Sequence, residues 1–202
     1  MPSDATTIQN FFSKAQAAQF SRDFLFRVHE VSLTGEAGNR PIEFIGDEEL
    51  IYARSGALPG RAIDNKTVSY MGLDFNLPGR AVYTNSAGYS IDFYADANNS
   101  LRGKFEKASR AVFDDATSRG QYGMPGEADY IELHVLDKQL DTIKAVKLIG
   151  ASIRDIGELS YAIADGTGEV VTFPVTFSYH YYIDVTTGGR GQGSPLSNQR
   201  GG

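Results

Sequence analysis

The sequence contains no cysteine and no tryptophan. Without cysteine there is neither a disulfide nor a thiolate metal site, and folding in a reducing cytoplasm is the simple expectation. Histidine is scarce: His29, His134 and His180 fall on three separate expected strands, so no helical HxxxH or HExxH pair exists. Long apolar runs are also missing, and no segment approaches the length of a membrane span. The opening residues, "MPSDATTIQNFF", lack a basic region followed by an apolar core, so no signal peptide is evident. Positive charge is in deficit, with 19 Lys and Arg against 25 Asp and Glu and a net charge of −6. That balance argues against a broad basic face that grips nucleic acid, but allows a protein that encloses it.

Catalytic patterns are missing too. There is no G-x-S-x-G elbow. "DANNSL" at 96–101 starts like a calcium loop but places Leu101 and Lys107 where glycine and glutamate are required. "GGRGQG" at 188–193 follows no βα unit, so it is no dinucleotide fingerprint. The expectation is a protein with no catalytic residues, no cofactor and no metal.

What is present favours strands. Phe and Tyr number 12 and 11, and 22 glycines supply turns. The spacing predicts a short helix over 4–19, capped by Asp4, with Ile8, Phe11, Phe12, Ala15 and Ala18 on one stripe. That stripe either packs on its own domain or docks on a neighbouring subunit. In "FLFRVHEVSL", at 24–33, Phe24, Phe26 and Val28 share a face before Val31 and Leu33 take over, which predicts a bulge near Glu30. Strands are expected at 42–45, 89–95, 130–136 and 143–150. A helix capped by Asn99 or Ser100 carries the stripe Leu101, Phe105, Ala108 and Val112. "VVTFPVTFSYHYYI", at 170–183, alternates throughout and reads as one strand of roughly 45 Å, with Pro174 at an edge or bulge. The whole reads as one domain over 1–185, including the helical segment at 1–20, followed by a flexible glycine-rich tail at 186–202.

The pentapeptide LPGRA recurs at 58–62 and 77–81. Between the copies, Val68 and Tyr70 lie on one parity and Met71, Leu73, Phe75 and Leu77 on the other. A strand that flips its apolar face has turned. The stretch therefore reads as a β-hairpin with its tip near Ser69–Gly72. Leu58, Pro59, Gly60 and Arg61 mark one foot, and Leu77, Pro78, Gly79 and Arg80 the other. Tyr70, Met71, Leu73 and Phe75 are expected to pack on the subunit body or in an assembly contact. Asp64 and Asp74 are candidates to face a lumen.

The ordered segments "FSRDFLFRVHEV", "ARSGALPGRAIDNKTVSYMGLDFNLPGRA", "YSIDFYADANNSLRGKFEKAS" and "LIGASIRDIGELSYAIADGTGEVVTFPVTFSYHYY" span roughly 20–183. In that order they resemble the tail tube proteins of contractile-tailed bacteriophages, relatives of inner-tube proteins in contractile injection systems. A proline that the family often has near Ser152 is absent here. The resemblance implies a mainly β fold, a barrel or sandwich with a long hairpin, one flanking helix and a short N-terminal helix. It implies hexameric rings stacked into a hollow tube inside a contractile sheath, in a virion tail assembled in the host cytoplasm. The implied partners are other copies of the chain and the sheath, tape measure, baseplate and tail terminator proteins. DNA would pass through the lumen without specific binding, and the subunit itself would not insert into a membrane. Alternatives are a baseplate tube-initiator, the inner tube of an injection device or, from a different class, a monomeric β-sandwich binding module.

Overall fold

A computed structural model describes residue 8 and residues 22–34, 41–43, 52–120, 123–161 and 168–186. The expected helix over 4–19 lies outside the described residues apart from Ile8, which is helical, and so do the Asp-Gly turn at 165–166 and the tail from 187 onward. Beside the helical Ile8, thirteen strands and one complete helix lie among the described residues. In chain order they are β1 (Phe26–Thr34), β2 (Pro41–Glu43), β3 (Ala53–Ser55), β4 (Gly60–Tyr70), β5 (Leu73–Thr84), β6 (Tyr89–Tyr94) and α1 (Ser100–Val112). There follow β7 (Phe113–Asp114), β8 (Arg119–Gly120), β9 (Tyr130–Leu136), β10 (Thr142–Ile149), β11 (Ser152–Ile156), β12 (Thr172–Ser178) and β13 (Tyr181–Asp184).

The larger strands form two antiparallel sheets, one ordered β13-β10-β9-β1-β2 and the other β11-β12-β6-β3. Neither closes into a barrel among the described residues. Their alternating apolar residues meet in one core. Val28, Val31, Ile131, Leu133 and Leu148 come from the first sheet, and Ile91, Phe93, Phe173, Val175 and Phe177 from the second. Among the described residues, β4 and β5 pair only with each other, and β7 with β8.

The expected bulge in β1 is present. Val28 pairs with Leu133 and Glu30 with Glu132, so His29 is the extra residue and Val31 and Leu33 return to the core. Helix α1 buries Leu101, Phe105 and Ala108, with the Phe105 ring 5.2 Å from Phe93 and 6.1 Å from Phe177. Its cap differs from the sequence expectation. Asn99 occupies the N-cap in a left-handed conformation (φ 52°) and makes no side-chain cap bond. The Asp96 carboxylate does the capping instead, accepting from the Ser100 N–H at 2.9 Å, the Ser100 hydroxyl at 2.8 Å and the Leu101 N–H at 3.3 Å. Partial burial works to raise the Asp96 carboxyl, but these hydrogen bonds outweigh it and hold the group below the usual carboxylate range.

The C-terminal alternation is not one strand. It breaks at Tyr179–His180, where the chain leaves β12 in one sheet and enters β13 in the other. The Tyr179 N–H donates to Ser86 and the His180 N–H to Ile149, so the backbone changes partners over two residues. Tyr179 stays buried, whereas Tyr181 and Ile183 are half-exposed and no longer share its face. Gly150 makes the corner possible: its φ is +71°, and a Cβ there would lie 2.1 Å from the His180 ring. Pro174 sits just past the end of β11, where the Gly157 N–H donates to its carbonyl oxygen at 2.8 Å. Its missing N–H therefore interrupts no ladder there.

Candidate functional site: an amphipathic hairpin

The doubled pentapeptide frames a ribbon of β4 and β5 that extends about 36 Å at the usual rise per residue. Its turn is Met71–Gly72, flanked by the pair Tyr70–Leu73. Both turn residues have positive φ, 50° and 78°, the geometry of a two-residue hairpin turn that follows the right-handed twist of its strands. The phase break at Tyr70–Met71 is therefore the turn itself.

The two copies of LPGRA do not occupy equivalent places. In the first, Gly60 opens β4 and pairs with Thr84, so Leu58, Pro59, Gly60 and Arg61 stand at the foot. The second lies within β5: Leu77 pairs with Lys66, Pro78 with Asn65 and Ala81 with Ile63. Only Asp64 stands opposite both Gly79 and Arg80, which makes this copy a β-bulge part-way along the ribbon and not the second foot. Both readings draw on the same residue chemistry. Proline is tolerated in an edge strand beside a bulge, and glycine permits close backbone approach. A Cβ on Gly79 would lie 2.4 Å from the Asp64 carbonyl oxygen, whereas one on Gly60 would meet Thr84 at an ordinary 3.4 Å. Asp64 also pairs with Lys66 at 3.3 Å and Arg80 at 3.5 Å.

Directly opposed residues of an antiparallel pair share a face. One face of the outer ribbon therefore carries Lys66–Leu77, Val68–Phe75 and Tyr70–Leu73. The other carries Asn65–Pro78, Thr67–Asn76 and Ser69–Asp74. On the polar face the Thr67 hydroxyl donates to Asn76 at 2.9 Å and the Ser69 hydroxyl to Asp74 at 2.5 Å. On the apolar face no described residue provides cover: Leu73 is 64% exposed, Phe75 50%, Leu77 53% and Tyr70 66%. Met71, at the tip, is 85% exposed. Packing of Met71, Leu73 and Phe75 on their own subunit is thus corrected, because the ribbon projects away from the core instead of lying on it. Asp64 and Asp74 fall on opposite faces of the ribbon.

Two buried tyrosines fasten the feet, a feature that no local pattern reveals. The Tyr89 hydroxyl donates to the Ala57 carbonyl at 2.6 Å, just before the first foot. The Tyr179 hydroxyl donates to the Thr84 carbonyl, at the end of β5, at 3.2 Å. Burial pushes both phenols above their ordinary range, so each keeps its proton for this bond. Tyr83 adds edge-to-face contacts with Tyr179 and Tyr182 at 6.5 and 5.4 Å. Alternation places Tyr89 and Tyr179 in the core, but which carbonyl each reaches depends on tertiary pairing. The same pairing brings His29 and His134, 105 residues apart in sequence, into a stack with ring centroids 4.1 Å apart. Burial, then the neighbouring His134, hold the His29 imidazole below its usual range.

Two open β-sheets over a shared core, one helix against them and a projecting ribbon define the architecture. No protein-family model matches the sequence. No curated protein matches it. Solved structures do share the fold. A chain in the cryo-EM structure of the anti-feeding prophage (AFP) baseplate, 6-fold symmetrised, aligns with a TM-score of 0.55 and 11% identity, over 84% of this chain and 95% of that one. A chain in the cryo-EM structure of an extracellular contractile injection system, the PVC sheath/tube terminator in its extended state, aligns at 0.52 and 10% identity, over 83% and 97%. The fold is thus one found in contractile injection machines, matching at the level of fold the relation to tail tube proteins read from the sequence. Among the described residues no helix is long and apolar enough to cross a membrane.

Proposed function

We propose that the protein is a structural, non-enzymatic subunit of the tube of a contractile tail. The uncovered apolar face of the hairpin carries this reading. Monomeric proteins rarely leave Leu73, Phe75, Leu77, Val68 and Tyr70 in one exposed row, and such a row marks a protein contact. In a ring, each ribbon lays that face on the next subunit, and its free backbone edges pair with neighbouring strands until no edge is left open. The likeness to a chain in a 6-fold symmetrised baseplate structure supports six subunits per ring. The polar face, with Thr67, Ser69, Asp74 and Asn76, then lines the lumen. A net charge of −6 suits a conduit that DNA slides through without sticking. Residues 1–185 form the tube domain. Rings stack around a tape measure protein and within a sheath, capped by baseplate and terminator proteins, in a bacteriophage tail assembled in the host cytoplasm.

A second reading, a tube-initiator or other component at the end of the tube, is favoured by the two similar structures, a baseplate and a sheath/tube terminator. Negative-stain microscopy of the purified chain at rising concentration separates the two. Hollow tubes of uniform width are expected for the tube subunit. Rings that never stack indicate the end component, and particles that stay monomeric at every concentration overturn both.

A further inference from the structure

The outer face of the five-stranded sheet gathers two imidazoles and a carboxylate at the β1 bulge. As the extra residue between the Val28–Leu133 and Glu30–Glu132 pairs, His29 is turned over β9, where Glu132 and His134 alternate onto the same face. One ligand atom from each of His29, Glu132 and His134 lies within 4.8 Å of the others. The His29 Nδ1 is buried and has no hydrogen-bond partner, so no bond through that atom fixes how the ring is turned. We propose that His29, Glu132 and His134 form a binding site for a divalent transition-metal ion of the zinc type. Two imidazoles and one carboxylate suit zinc and its neighbours, and three protein ligands leave a fourth position open for water.

The second sphere supports this assignment. The His134 Nε2 lies 2.8 Å from Glu132, and its Nδ1 lies 3.2 Å from the Thr142 hydroxyl. When Nε2 turns to a metal, the ring proton moves to Nδ1 and donates to Thr142, the outer-sphere bond that orients a liganding histidine. Two features oppose the ion. The imidazoles are stacked with their planes 19° apart, so His29 must turn about its side-chain bonds before both lone pairs meet at one point. The Arg27 guanidinium sits 3.3 Å from the His134 Nδ1 and can only donate to it, so it must give way once that nitrogen carries the ring proton, and it leaves a fixed positive charge beside the site. The ion would therefore bind with moderate affinity and clip β1 to β9 across the bulge.

The test is calorimetric titration of the 202-residue chain with Zn2+ alone, paired with thermal melts and with Mg2+ as the control. One Zn2+ per chain is expected, with a rise in Tm of about 5–10 °C at a hundredfold excess over Kd and none with Mg2+. His29→Ala, which removes a ring held by no hydrogen bond at Nδ1, abolishes the shift while leaving the metal-free Tm close to that of the parent. Glu132→Gln keeps a hydrogen-bonding side chain and weakens binding at least tenfold, whereas Arg27→Gln tightens it. A parent chain that shows no shift, or a shift that survives His29→Ala, overturns the site.

Discussion

The two-sheet body and the hairpin use the same period-two alternation and end in opposite environments. In the body, Ile91, Phe93, Phe105, Phe173, Val175 and Phe177 are wholly buried, because two sheets and a helix turn their apolar faces on one another. In the hairpin, Val68, Leu73, Phe75 and Leu77 form an equally regular row that stays about half or more exposed. A ribbon of two strands has nothing behind it and is marginal in water by itself. Among the described residues the body completes its hydrophobic burial and the hairpin does not. In the proposed tube, folding and assembly would therefore be driven by separate sets of residues.

Substitutions can pull that division apart, and the largest effect is expected at the apolar row. Leu73→Asp with Phe75→Asp should abolish ring and tube formation in electron micrographs while leaving the Tm of the isolated subunit nearly unchanged, since both side chains are already solvated. Normal tubes from this variant would show that the row is not an interface. In the body, Phe105→Ala should cost about 3–5 kcal/mol of stability in a denaturant titration, through lost burial and the cavity left between α1 and the sheet. A smaller contrast lies between the two pentapeptides. Gly79→Ala should cost about 1–3 kcal/mol, because its Cβ must displace the Asp64 backbone, whereas Gly60→Ala should stay within about 0.5 kcal/mol of the parent. Equal effects at the two glycines would remove the distinction between foot and bulge. The smallest change is at the tip: Met71→Asn should stabilise the hairpin by about 0.5–1 kcal/mol, since asparagine accepts the positive φ that methionine resists. Hydrogen exchange of the β4 and β5 amides would read it.

Much of this division is legible in the sequence wherever a phase changes locally. The shift from Val28 to Val31 marks the β1 bulge, and the break at Tyr70–Met71 marks the hairpin turn. The stripe Leu101, Phe105 and Ala108 marks the face that α1 buries. What is not legible depends on partners distant in the chain. Pro78 and Gly79 look like a turn because a turn and an edge-strand bulge ask for the same two residues, and only the register with Asp64 decides between them. Tyr181 and Ile183 keep the alternation of β12 although the chain has already passed to the other sheet, a change made at His180 against Gly150. The helix cap passes from Asn99 to Asp96 because Asn99 turns left-handed and the carboxylate three residues earlier reaches back to the free N–H groups. The tyrosine anchors at the feet of the ribbon and the stacked histidines follow the same rule, each being a contact between elements that no window of sequence contains.

In the proposed ring, the bulge at Gly79 would bear on how copies recognise one another. An exposed two-stranded ribbon can slip, and a slip of one residue exchanges its two faces. Gly79 and Arg80 opposite Asp64, with the Lys66 and Arg80 cations holding that carboxylate, act as an index mark that admits one alignment only. In the proposed ring, every subunit would thereby show the same side outward before meeting another, and growth would not have to sort correct from inverted ribbons.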